Sequence, residues 1–102
     1  MSEATWSALA DPRRRAVLDL LRSGERAVGE VVDALALSQP QASKHLRVLR
    51  TAGLVQVRKD AQRRLYRLDP RPIAEVDAWL APYRQRWNES LDRLEEHLEE
   101  QP

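Results

Sequence analysis

The chain has 102 residues, 42% of them hydrophobic, which leaves room for one domain with a modest core. It contains no cysteine, so disulfides, thiolate metal sites and thiol chemistry are excluded, and a reducing cytoplasm is the expected compartment. The formal net charge is only +1, no apolar run approaches the length of a membrane span, and the N-terminus MSEATWSALAD lacks a basic-then-apolar signal, so no membrane partner is expected.

Trp6, Leu9 and Ala10 predict a short first helix within residues 1–11. Asp11 and Pro12 then cap and open a second, whose buried side is Val17, Leu20 and Leu21 and whose end is Gly24. Arg13, Arg14 and Arg15 crowd the start of that helix, where cations oppose the helix dipole unless an anion is near. Two readings stand: a solvated arginine face, or a flanking phosphate contact.

Residues 27–53, AVGEVVDALALSQPQASKHLRVLRTAG, hold two short amphipathic patterns back to back. Val28, Val31, Val32 and Leu35 fall at i, i+3, i+4, i+7, and Ala42, Leu46 and Leu49 repeat the signal. Between them Ser38 can cap the next helix, Gln41 can complete a capping box, and Pro40 sits where no backbone donor is needed. The pattern predicts helix, tight turn, helix. With Ala42, Leu46 and Leu49 turned inward, Pro40, Lys44, Arg47 and Thr51 point out, flanked by Gln41 and Ser43. Such a small, polar, cationic face suits the major groove of DNA, although any helical hairpin has a solvated outer side.

After Gly53 the period changes. Residues 54–59 (LVQVRK) and 64–68 (RLYRL) are β-prone runs joined by a polar connection at 60–63, which predicts a hairpin carrying Arg58, Lys59, Arg63 and Arg64. From Lys44 to Arg67 there are eight cations and one acid, Asp60. A basic hairpin behind a helix-turn-helix is a winged helix, whose wing reaches the backbone or minor groove. Charge that guards an edge hairpin against aggregation gives the same pattern, and both roles are compatible.

Asp69-Pro70-Arg71-Pro72 punctuates the chain, and residues 72–101 are predicted helical, kinked or restarted near Pro82. Ile73, Val76, Leu80, Tyr83, Trp87, Leu91, Leu94 and Leu98 form one apolar seam 26 residues long. The expected solution is a symmetric dimer through this helix and the Trp6/Leu9 helix, the alternative being an intramolecular cap. The charge also divides here. Residues 1–71 carry 14 Lys/Arg against 8 Asp/Glu, residues 72–102 carry 3 against 8, and the basic part is what a polyanion would meet.

The segments LADPRRRAVLDLL, VGEVVDALALSQPQASKHLRVLRTAGLVQVRKD and RRLYRLDP resemble, in order and spacing over residues 6–72, the ArsR-type (ArsR/SmtB) winged helix-turn-helix repressors, a family that includes bacterial arsenic and zinc sensors. The tail DAWLAPYRQRWNESLDRLEEHL resembles a branch of that family without metal-sensor sites. The resemblance implies a mainly α fold with a small β-hairpin, dimerising through its N- and C-terminal helices. It also implies a homodimer on double-stranded DNA, at an imperfect palindromic operator, that represses its own operon. By that match Gln39, Gln41, Ser43 and Lys44 read bases beside Ser38, Arg47 meets phosphate, and Arg58, Lys59, Arg63 and Arg64 serve the wing. Three departures from the family pattern are Ala27 in place of a hydroxyl N-cap, Ala36 in place of Gly or Asn at the turn, and a wing tip without Gly.

No metal or other cofactor is expected. One family sensor site needs Cys-x-Cys, and the other needs Asp-x-His-x10-His-x-x-Glu. His97 and Glu100 match the last two positions of the second, but Arg84 and Arg86 stand at the first two, and cations repel a divalent metal. His97 is therefore expected at the surface, and His45 to pack or to contact phosphate. The run Glu95, Glu96, Glu99, Glu100 reads as a solvated face, and nothing supports an enzyme. The competing functional reading is a winged-helix interaction module with an acidic protein partner. No inducer is assigned.

Overall fold

The computed structural model describes residues 2–100; Met1, Gln101 and Pro102, which the expected terminal segments include, lie outside the described residues. In chain order the elements are α1 (Glu3–Leu9), α2 (Pro12–Leu21), β1 (Arg26–Ala27), α3 (Val28–Leu35), α4 (Gln39–Thr51), β2 (Val55–Asp60), β3 (Arg63–Leu68) and α5 (Arg71–Glu100). This is a winged helix-turn-helix: helices α1 to α4 around one core, then an antiparallel hairpin, then a long terminal helix.

Local chemistry sets most boundaries. The Asp11 carboxylate accepts from the Arg13 N–H at 2.7 Å, and Pro12 fills the first helical position of α2, where its missing donor costs nothing. At α4 the box is reciprocal: Gln41 N–H donates to Ser38 Oγ at 3.2 Å and Ser38 N–H to Gln41 Oε1 at 2.9 Å. Ala27 supplies no side-chain cap to α3, so only half a box forms there, with Ala27 N–H donating to Glu30 Oε1 at 3.0 Å. The turn between α3 and α4 requires a left-handed residue, and Ala36 takes it at φ 54°. Three departures from the family pattern are thus three real weaknesses, because Ala61 at the wing tip is also left-handed, at φ 57°.

The apolar periodicities converge on one core. Val17, Val31, Ala42, Leu46, Leu49 and Leu54 are fully buried, joined by Ala8, Leu18, Leu21, Val55 and Tyr66. The predicted inward face of α4 is therefore the observed one, with His45 added to it.

Two expectations about the sheet are corrected. The hairpin is tighter than a 60–63 connection, since Asp60 pairs with Arg63 and only Ala61 and Gln62 turn. A third strand also joins: β1 pairs antiparallel with β3, Arg26 opposite Tyr66 and Ala27 opposite Leu65, giving the order β1-β3-β2. Two residues carry no periodicity, so β1 is strand only because β3 offers it an open edge.

Helix α5 begins at Arg71, held by Asp69, whose Oδ1 accepts from Arg71 N–H at 3.1 Å. It does not restart at Pro82; one helix of 30 residues passes through. At 1.5 Å per residue it is about 45 Å long, which accounts for most of the molecule's 66 Å extent. Not one of its described residues is buried.

Candidate nucleic-acid interface

Helix α4 presents Gln39, Pro40, Gln41, Ser43, Lys44, Arg47, Arg50 and Thr51 to solvent, because its opposite face is committed to the core. Ser38 is exposed at its N-cap, its oxygen taken up by the Gln41 N–H. Gln41 spends its carbonyl oxygen on the cap and keeps its amide N–H groups as donors. The first turn is thus rigid before anything binds, which fixes where Ser43 and Lys44 project.

The hairpin lies beside the last turns of α4. Ser43, Arg47, Arg50, Arg64 and Tyr66 line a groove between helix and sheet, and Arg50, Val57, Arg58, Lys59 and Arg64 line the depression that continues it. In the β2–β3 register Lys59 stands directly opposite Arg64, and Val57 opposite Tyr66. Like charges facing each other across a hairpin repel unless an anion separates them.

The wing cations expected to act alike fall into two groups. Arg58 makes a bidentate pair with Glu25, Nε to Oε2 at 2.8 Å and Nη2 to Oε1 at 3.1 Å. That pair holds the Glu25 carboxyl below the usual carboxylate range and raises the Arg58 guanidinium, chiefly through the side-chain hydrogen bond. Arg63 Nη2 donates to Glu30 Oε1 at 3.0 Å, and Arg67 donates twice to Gln56 Oε1, at 3.2 and 2.6 Å. By contrast Lys44, Arg47, Arg50, Lys59 and Arg64 have no acidic partner among the described residues. Arg50 joins the expected site residues in this groove, and its place three residues after Arg47 on the same exposed side of α4 is the sequence signal for it.

In the Arg13–Arg15 run Arg13 and Arg15 are exposed and Arg14 is half-buried, and two of the three guanidinium groups bind backbone within the chain. Arg14 donates to the carbonyls of Ala8 and Ser7 at 2.7 and 2.9 Å, and Arg15 to that of Leu9 at 2.6 Å. Two arginines thereby satisfy the open C-terminal carbonyls of α1, where the dipole favours a cation. His45 is nine-tenths buried and its Nδ1 has no hydrogen-bond partner, so it packs rather than touching a ligand at the surface. His97 is exposed, as expected.

Of the residues expected at a dimer interface, Trp6, Tyr83, Trp87, Leu91, Leu94 and Leu98 are exposed and Leu9, Val76 and Leu80 are half-buried. The seam has a member that spacing from Val76 and Tyr83 should have revealed: Trp79, 46% exposed, sits edge-on to Trp6 at 5.5 Å and against Tyr83 at 4.9 Å. These rings tie α1 to the root of α5 and leave the outer half of the seam bare.

Residues 11–57 match the family described as bacterial regulatory protein, arsR family. The HTH-type transcriptional regulator Rv2034 of Mycobacterium tuberculosis is 47% identical over 72% of this chain and 69% of its own length. A crystal structure titled a possible transcriptional regulator for arsenical resistance superposes with a TM-score of 0.72 at 40% identity, over 91% of this chain and 94% of that one. The homodimeric winged helix-turn-helix DNA-binding domain Mb0332 of Mycobacterium bovis gives a TM-score of 0.66 at 34% identity, over 80% and 76%. The chain spans about half the length of several other curated relatives it matches. With the fold, the capped helix-turn-helix and these relatives in agreement, the chain belongs to the ArsR family of winged helix-turn-helix, DNA-binding transcriptional regulators.

Proposed function

We propose that this chain is a homodimeric, sequence-specific repressor, acting in the cytoplasm at an imperfect palindrome upstream of its own operon. The observation that carries the reading is a cationic groove without acidic partners among the described residues: Arg47, Arg50 and Arg64 line it, and Lys59 faces Arg64 across the wing beside it. A phosphate backbone relieves that repulsion and releases its own counterions. Gln39, Gln41, Ser43 and Lys44, on the rigid first turns of α4 beside Ser38, read base edges. Arg47, Arg50, Lys59 and Arg64 take phosphates, and Arg58 and Arg63 stand in reserve on the wing behind their carboxylates. Relatives named as repressors support the sign of the regulation.

Two copies pair through α5. Run antiparallel, the seam matches itself from end to end: Ile73 with Leu98, Val76 with Leu94, Leu80 with Leu91 and Tyr83 with Trp87. Run parallel, Glu95, Glu96, Glu99 and Glu100 of the two copies would lie side by side. Antiparallel pairing separates the two acidic ends and sets two recognition helices for half-sites about 34 to 36 Å apart. No metal or other cofactor enters this reading, and the inducer is not assigned.

The test is binding to the DNA immediately upstream of the gene, with a scrambled duplex of equal length as competitor, at about 150 mM salt. A preference of about 10³-fold or more supports the repressor. Equal binding to both duplexes removes sequence reading, and absence of binding turns the basic face toward an acidic protein partner.

A further inference from the structure

The wing's two ion pairs are unusual in what they join. Glu25 precedes β1 and Glu30 lies in the first turn of α3, yet each reaches a wing arginine 33 residues away in sequence. Both pairs are substantially exposed, with side chains 50% and 33% accessible for Arg58–Glu25 and 60% and 48% for Arg63–Glu30. Exposed pairs of this kind contribute little to stability. Glu30 holds α3 through its bond to Ala27 N–H whether or not Arg63 is present. Among the described residues the Glu25 carboxylate accepts only the two hydrogen bonds from Arg58, its backbone carbonyl accepting separately from Arg26 Nη1 at 3.0 Å. The charged groups around Arg58 are Glu25 and Asp60, the cations Arg50, Lys59 and Arg64 that line the same depression, and, acting on the same carboxylate, Arg67.

We propose that Glu25 and Glu30 are affinity-limiting residues of the DNA interface: each occupies a wing arginine that would otherwise bind phosphate, and so lowers the protein's grip on DNA of any sequence. The inference rests on the DNA-binding reading above. A phosphate approaching the wing competes with a carboxylate already in a fork with Arg58, and the displaced carboxylate is left facing a polyanion. The cost falls on operator and random DNA alike, because phosphate contacts carry no base information. The unpaired Arg47, Arg50, Lys59 and Arg64 are left to supply the electrostatic attraction in the wild type. A family member that must leave random DNA in order to find one operator gains from such restraint, since sequence-blind attraction is supplied almost wholly by cation–phosphate contacts.

The experiment measures affinity for the upstream duplex and for a scrambled duplex across a salt series, with wild type, Glu25→Gln, Glu30→Gln, Arg58→Ala and the Glu25→Gln/Arg58→Ala pair. Each Gln variant is expected to bind both duplexes about two- to fivefold more tightly, the range an exposed ion pair spans. The slope of log K against log salt should steepen by about 0.9 for each arginine released. In the Arg58→Ala background the Glu25→Gln gain should vanish. If the gain persists there, the carboxylate acts only by its field, and the proposal fails. If the Gln variants bind equally or more weakly with an unchanged slope, the acids position the wing instead, and the proposal fails while DNA binding stands. If wild type and variants alike bind no DNA, the DNA-binding reading itself falls, and this inference with it.

Discussion

The body of the molecule and helix α5 are built from similar apolar residues and use them in opposite ways. In the body Leu46, Leu49 and Leu54 have no exposure at all; in α5 Leu91, Leu94 and Leu98 are 47%, 54% and 61% exposed. Burying a leucine is favourable by roughly 1.5 to 3 kcal/mol, so the body is held by its own sequence. Helix α5 leaves the same free energy unused within one protomer. The difference teaches where folding within one chain ends: the apolar faces of the body close on each other, and the seam of α5 is left open.

The sharpest way to break the comparison is to truncate one leucine on each side. Leu49→Ala is expected to destabilise the body by about 2 to 5 kcal/mol, the range for large-to-small core changes. Leu94→Ala is expected to leave the unfolding of dilute, separated protomers nearly unchanged and to weaken self-association. Urea unfolding at low and high protein concentration separates the two, because only a dimer contact makes the midpoint concentration-dependent. An equal loss for both at low concentration would mean that α5 is part of the monomer's core. The absence of native cysteine allows a finer version. A variant carrying Ile73→Cys and Leu98→Cys should cross-link between copies, and Leu98→Cys alone should not; the reverse result would make the pair parallel.

Within the body, effects on DNA should be smaller and should divide by role. Lys44→Ala is expected to cost about 1 to 3 kcal/mol at the operator and to relax base choice at one position. Arg64→Ala should weaken all duplexes alike and reduce the salt slope by about one. Neither change touches α5, so sedimentation should report an unaltered dimer. If both variants weaken every duplex equally, Lys44 is a phosphate contact.

Acid should act where the two regions join. Asp69 is buried and accepts from Arg71 Nη2 at 2.6 Å and from Gln56 Nε2 at 2.8 Å. The Arg71 guanidinium, then the Arg71 backbone N–H, hold its carboxyl far below the usual carboxylate range. A pKa lower in the folded than in the unfolded state contributes stability that is complete above the unfolded value near 4 and is lost as the pH falls below it. Thermal melts from neutral pH down to about pH 3 should therefore show a steeper acid loss for wild type than for Asp69→Asn. Parallel curves would show that the root of α5 is held by packing alone.

What the sequence disclosed follows from how local each signal is. The caps at Asp11 and Ser38, the inward stripe of α4 and the seam of α5 depend on residues within a few positions of each other, and all are where they were expected. The basic wing was legible as a composition; the division of its charges was not. Glu25 and Glu30 lie in a segment whose position over the wing is set by β1 pairing with β3, and no spacing rule predicts that pairing. The carbonyl partners of Arg14 and Arg15 are illegible in the sequence for a related reason, since they become available only when α1 ends six or seven residues earlier. Trp79 and Arg50 are the omissions that local helical spacing reveals.

The smallest expected effect concerns strain that only the body carries. Ala36, at φ 54° in the turn that aims α4, and Ala61, at φ 57° in the wing tip, adopt a backbone that costs an alanine about 1 to 2 kcal/mol. Glycine removes that cost and loses part of the gain to the greater freedom of the unfolded chain. Ala36→Gly is thus expected to stabilise the protein by roughly 0.5 to 1 kcal/mol. The same change at Gln85, on an exposed stretch of α5, should destabilise by about 1 kcal/mol, because glycine in a helix interior has only the entropy cost. Opposite signs at two exposed positions would locate the difference in the backbone rather than in any side-chain contact. The same sign at both would mean that the turn between α3 and α4 is held by its bonds from Ala36 and Leu37 to the Val32 carbonyl, with no strain left to relieve.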